Sequence, residues 1–196
     1  PSAWATGCRW TGCGACWTLC PDGAVGVTAL EPGALLETGM RVTGMEALRP
    51  LSSNLSKRMA ANCRVRRAAP VTAGELLDGA FDWMLQQSLP EPRKQLLAEA
   101  QEKIVGALGT LPMALTDALY REPETQLNGS GTVLFLAVNP AICKGCGICV
   151  SNCEPGAMTL GNQTRELAAE AKRNWKNWEQ LPETTQATLE QAGAGS

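Results

Sequence analysis

The chain has 196 residues, of which 44% are hydrophobic and 18% are charged, so it is long enough to bury a hydrophobic core of its own. Its formal net charge of -2 lacks the basic excess that binding to a phosphate backbone requires, which argues against a nucleic-acid partner. Nine cysteines occur with no histidine, and this excludes histidine-ligated haem, Rieske centres and histidine-containing zinc sites.

The cysteines are odd in number and closely spaced, and no charged and apolar leader precedes them. This usage favours reduced thiols in the cytoplasm over a secreted disulfide framework. The longest apolar run, Val133–Val138, is too short to span a bilayer, so we expect a soluble protein with no membrane partner. Because the first residue is Pro1 rather than Met, we expect a piece of a longer protein.

Four cysteines near the start of the chain form the first motif, which has the spacing C-x4-C-x2-C-x3-C-P. They are Cys8, Cys13, Cys16 and Cys20. The small and apolar residues 22–30 then predict a turn that enters a strand. We expect the strand that precedes this motif to lie upstream of Pro1.

Residues 45–122 are predicted to be helical, in about four pieces. The first piece covers about 45–63 and is broken near Pro50. A possible capping box from Thr72 to Glu75 opens the second piece, which Pro90 ends.

The third helical piece has Pro92 in its first turn, where proline is tolerated. Its apolar positions recur every three or four residues. They are Leu97, Ala100, Ile104 and Leu108. A further helix is predicted from Thr110 to about Arg121.

A second motif of four cysteines follows, with the spacing C-x2-C-x2-C-x3-C. They are Cys143, Cys146, Cys149 and Cys153. A strand over 132–138 precedes it, and residues 155–160 predict a turn into another strand. The two motifs and the strands that follow them therefore form a pseudo-repeat. A closing helix is predicted over 164–181, and residues 192–196 are predicted to be linker.

Three thiolates spaced two residues apart on a tight loop can bind three irons of one cubane cluster, and Gly145 and Gly147 ease the close approach of the loop. The second motif has the spacing of bacterial ferredoxins. The chain therefore resembles the two-[4Fe-4S] ferredoxin family. The first motif resembles the same unit, with its leading cysteine displaced from about Trp10 to Cys8.

This resemblance implies two [4Fe-4S] clusters, with the last cysteine of each motif bound to the cluster of the other motif. The first ligand set would be Cys8, Cys13, Cys16 and Cys153. The second ligand set would be Cys143, Cys146, Cys149 and Cys20.

Alternatives to this assignment remain open. Zinc is one, although three cysteines within seven residues would crowd a single tetrahedral ion. The cluster with Cys8 could instead be a three-iron form with an open corner. Cys63 is predicted to pack inside a helix, with the alternative that it replaces Cys8 as a ligand.

The fold class predicted from these elements is α+β, a ferredoxin-like two-cluster core of short strands interrupted by a long helical insertion and followed by a C-terminal helix. We divide the chain into the first half of a ferredoxin module (1–44), a helical insertion (45–125), the second half of the module (126–162), and a C-terminal helix with linker (163–196).

Two ferredoxin motifs separated by a long insertion resemble the ferredoxin module of the pyruvate:ferredoxin (2-oxoacid:acceptor) oxidoreductase family. The resemblance implies electron transfer from a thiamine-bound intermediate to an external ferredoxin or flavodoxin. Thiamine diphosphate and Mg²⁺ would belong to missing segments or partner subunits, since no catalytic site is expected within this segment. The alternatives are a relay of another redox complex, a free-standing carrier, or a module whose clusters only stabilise the fold.

Overall fold

The computed structural model describes residues 2–5, 13–65, 71–154 and 156–193, with backbone alone for residues 2–5, 71, 189 and 191–193. These residues form helices and two small antiparallel sheets. The predicted α+β class is confirmed.

The strands pair across the length of the chain. Their bounds are β1 (Ser2–Ala5), β2 (Val25–Leu30), β3 (Val71–Thr72), β4 (Pro112–Ala114), β5 (Val133–Val138) and β6 (Met158–Gly161). β1 pairs antiparallel with β6, and the other sheet has the order β2-β5-β4-β3. In both β1–β6 and β2–β5, a strand beside the first motif meets a strand beside the second.

β1 is the strand that precedes the first motif. The expectation that this strand lies upstream of Pro1 is therefore wrong, because four residues just after Pro1 already supply it. The segment was too short to show a hydrophobic period, and its strand conformation depends on pairing with Met158–Gly161.

The helices fill most of the interval between the motifs. Their bounds are α1 (Ala15–Thr18), α2 (Pro32–Thr43), α3 (Arg49–Val65), α4 (Ala73–Leu85), α5 (Glu91–Leu108), α6 (Glu122–Gln126), α7 (Ile148–Ser151), α8 (Arg165–Trp178) and α9 (Gln186–Gly193). A 3-10 turn, Glu46–Leu48, precedes α3, and a π-helical turn, Asp117–Arg121, precedes α6. Within the described ranges, no helix combines the length and apolar character needed to cross a bilayer.

Local capping and periodicity explain several helices as predicted. The Thr72 hydroxyl accepts a hydrogen bond from the Glu75 N–H at the start of α4. Thr164 caps α8 in the same way. The buried side of α5 consists of the four positions predicted from its period, and these are Leu97, Ala100, Ile104 and Leu108.

Other helical predictions were wrong. The helix predicted from Thr110 to Arg121 is instead β4 followed by the π-helical turn, because Met113 and Ala114 pair with β5. Pro50 does not break a helix, since it lies in the first turn of α3. α4 ends at Leu85, well before Pro90, and the predicted linker begins inside α9.

Strand β5 lies between two hydrophobic cores. Its side chains alternate, so Val133, Phe135 and Ala137 belong to a larger core built mainly with helices α2–α5. Leu134, Leu136 and Val138 belong to a smaller core that also contains Cys16 and Cys149. The cysteine motifs are therefore anchored to the helical layer through one fully buried strand.

Helix α8 packs against the same sheet, at a glycine. A Cβ added at Gly26 of β2 would lie 2.7 Å from the indole ring of Trp178. Trp178 in turn lies 4.9 Å from Trp175, measured between ring centroids. Gly26 thus gives the indole access to the strand surface.

We expect Gly26→Ala to lower the free energy of unfolding by about 1–3 kcal/mol, because the added methyl group must displace the indole. Gly106→Ala is the matched control, since a Cβ there meets nothing within 4 Å and the helical position of α5 should gain up to about 1 kcal/mol. Denaturant unfolding of both variants measures the difference. Equal stability of Gly26→Ala and the parent protein would contradict this packing.

Candidate metal centre

The two cysteine motifs adopt the same local structure. Gly14 and Gly147 have φ of 81° and 82°, a left-handed conformation that glycine adopts without strain, and each begins a one-turn helix, α1 or α7. Cys16 and Cys149 occupy equivalent, buried positions in these helices. α1 and α7 contact each other. The pseudo-repeat predicted from the motifs is thus present in the backbone.

The last cysteine of each motif accepts a hydrogen bond from the backbone four residues later. The Ala24 N–H donates to Cys20 Sγ at 3.2 Å, and the Ala157 N–H donates to Cys153 Sγ at 3.1 Å. Such donors stabilise negative charge on sulfur, and they are typical of thiolates that bind a metal.

One pocket brings cysteines from both motifs together. Cys143, Cys146 and Cys149 of the second motif line it, and so does Cys20 of the first motif. Ala24, Val25 and Val138 close its apolar side. The four cysteines predicted as the second ligand set therefore line a common space, to which the first motif contributes its last cysteine.

The pKa values of the two buried thiols, Cys16 and Cys149, depend on cysteines of both motifs. Burial, followed by the charges of nearby Cys13, Cys153 and Cys149, raises the pKa of Cys16 to about 11. Burial also raises the pKa of Cys149, with Cys143, Cys20 and Cys146 as its charged neighbours. Cys153 is therefore close enough to Cys16 to affect its charge, and Cys20 is close enough to Cys149. Both shifts favour the neutral thiol, so metal binding here would release protons.

An ion pair between the motifs borders the same pocket. Lys144 Nζ lies 2.7 Å from Asp22 Oδ1, and both residues line the pocket of the second ligand set. The Lys144 side chain is 76% exposed and that of Asp22 is 22% exposed. Asp22 raises the pKa of Lys144 by accepting its hydrogen bond and by the negative charge of the Asp22 carboxylate. The charge of Cys146 raises that pKa to a lesser degree.

No group of three histidine, cysteine, aspartate or glutamate side chains that could hold a metal ion occurs among the residues that the structure describes. Cys8, the proposed leading ligand of the first set, lies outside the described residues. Cys63 is buried in the larger core, beside Tyr120, whereas Cys16 and Cys149 belong to the smaller core.

Comparison with known proteins adds one relative. A pyruvate-flavodoxin oxidoreductase of Rhodospirillum rubrum is 34% identical over 89 residues. This similarity supports a relation to its family. It covers 42% of this chain and 7% of the relative, so the chain matches a small part of a much longer protein. No protein-family model matches the chain, and no solved structure matches it significantly.

Sequence reasoning missed several residues around the pocket. Lys144 and Asp22 adjoin the motifs, but their pairing depends on bringing two distant segments together. Ala24 and Ala157 contribute backbone N–H groups, which the identity of a side chain does not reveal. Their spacing from Cys20 and Cys153 is the same, and this regularity could have indicated an equivalent turn in both motifs.

Proposed function

We propose that this chain carries two [4Fe-4S] clusters and transfers electrons through them as part of a 2-oxoacid oxidoreductase. The observation that carries the proposal is the pocket lined by Cys143, Cys146, Cys149 and Cys20, because it joins four thiols from two motifs far apart in the chain. The first ligand set would be Cys8, Cys13, Cys16 and Cys153.

The donor chemistry fits an iron–sulfur cluster. A cubane distributes its four thiolate ligands over four irons, so the thiolates need not converge on one ion. The backbone N–H groups that reach Cys20 and Cys153 would hold these two ligands in place. When bound, each cluster would supply reversible one-electron transfer.

The central cysteine of each motif has an apolar surrounding. Cys16 and Cys149 lie in the smaller core, where Leu134, Leu136 and Val138 of β5 pack beside them. The contact between α1 and α7 keeps the two motifs adjacent. Adjacent clusters in an apolar surrounding suit a relay that passes electrons one at a time.

The larger setting is inferred from the relative, whose name states that it uses pyruvate and flavodoxin. We infer that this chain receives electrons from a thiamine-bound intermediate and passes them to an external ferredoxin or flavodoxin in the cytoplasm. Thiamine diphosphate and Mg²⁺ would be held by other segments or partner subunits. The division at 1–44, 45–125, 126–162 and 163–196 belongs to the same proposal.

The direct test is the metal content of the protein purified without oxygen. We expect about eight irons and about eight acid-labile sulfides per chain, because eight cysteines supply four ligands to each of two cubanes. Dithionite should bleach the visible absorption and produce electron paramagnetic resonance signals. Reduced protein should then reduce added flavodoxin.

Zinc without iron in the same preparation would contradict the proposal, since zinc has no redox chemistry. About seven irons would indicate that the cluster with Cys8 is the three-iron form. Clusters that remain oxidised at every accessible potential would instead indicate that they only stabilise the fold.

A further inference from the structure

The ion pair of Lys144 and Asp22 borders the second ligand set and has no assigned role. Its two members come from different motifs, Lys144 from between two cysteines of the second and Asp22 from just after the last cysteine of the first. Both line the pocket that Cys20, Cys143, Cys146 and Cys149 share. Charges this close to a redox group act directly on its potential.

We propose that Lys144 and Asp22 set the reduction potential of the cluster bound by the second ligand set, with opposite signs. This inference rests on the proposed function. Reduction of that cluster would add one electron, supplied by the first cluster or by an added reductant that is oxidised in turn, and no bond would form or break. The ammonium of Lys144 favours the added negative charge, and the carboxylate of Asp22 opposes it.

The two charges should differ in strength. The side chain of Asp22 is 22% exposed and that of Lys144 is 76% exposed, so water and salt screen the ammonium more. Removing the carboxylate should therefore have the larger effect. As paired, the two charges largely cancel.

The test is a potentiometric titration of the intact, cluster-loaded protein, followed by electron paramagnetic resonance. Asp22→Asn should raise the potential of the second cluster, shifting its equilibrium with the first by about threefold, or about 28 mV at about 59 mV per tenfold. Lys144→Met should lower that potential by a smaller amount. The double variant should return toward the parent value, and Lys144→Arg should keep it.

Shifts of opposite sign in Asp22→Asn and Lys144→Met distinguish an electrostatic effect from a structural one. A disturbed loop would shift the potential without regard to the sign of the charge that was removed. The shifts should also shrink as salt is added. Shifts of the same sign in both variants, or none while the iron content is unchanged, would overturn the inference. If one variant loses the second cluster, the other variant alone tests the inference: its potential must shift in the direction given above, and a shift in the other direction would overturn the inference. Absence of clusters from the parent protein would refute the proposed function instead.

Discussion

Cys20→Ala is expected to remove the second cluster, although Cys20 belongs to the first motif. Cys20 lines a pocket with Cys143, Cys146 and Cys149, so its loss leaves that cluster one ligand short. We expect iron to fall from about eight to about four per chain. Iron analysis and electron paramagnetic resonance measure the loss, and the first cluster should keep its signal.

Double variants decide which cysteines share a cluster, because two substitutions at one site are not additive. Cys20→Ala combined with Cys149→Ala should retain about half of the iron, as each single variant does. Cys20→Ala combined with Cys16→Ala should lose nearly all of it. Ligation of each cluster by one motif alone would give the reverse result. Cys63→Ala is the control, and it should leave the iron content unchanged.

Phe135→Ala is expected to lower the free energy of unfolding by about 3–5 kcal/mol, a large part of the stability of an ordinary domain. Phe135 is completely buried at the centre of β5, where Thr28 and Met113 are its cross-strand neighbours. Its removal leaves a cavity between the sheet and the helices. Denaturant unfolding of the protein measures the change.

Leu127→Ala is the matched control, since Leu127 is 68% exposed and its truncation should change stability by less than about 0.5 kcal/mol. Because β5 also packs on the smaller core, Phe135→Ala should release iron in the same transition that unfolds the helices. Separate transitions for absorbance and helix content would show that the two cores unfold independently.

Elements with strong local signals could be predicted from the sequence. β2, β5 and β6 follow apolar runs, and α4 and α8 begin at capping threonines. α2 was missed although its ends carry the usual marks, since Pro32 opens it and Gly44, with φ of 69°, follows it.

Elements that depend on distant partners could not be predicted. β4 lies in a segment with a helical pattern, yet Met113 forms a strand because Phe135 pairs with it. The site shows the same division. The spacing of the motifs indicated the cysteines, and the crossing of Cys20 and Cys153 came from the family resemblance. The contact of Lys144 with Asp22 required the folded chain, and the place of Cys8 stays a prediction.

The pairing of β2 with β5 has a consequence for the order in which the chain folds. These strands are separated by the whole helical interval, so pairing them from a disordered chain carries a large loop-closure entropy. Helices α2–α5 each contact the next along the chain, and α2 also contacts α5. Contacts between sequence neighbours form early. Assembly of the helical layer therefore shortens the effective loop between Leu30 and Val133. The helices that separate the two motifs in sequence thus bring the motifs together in space.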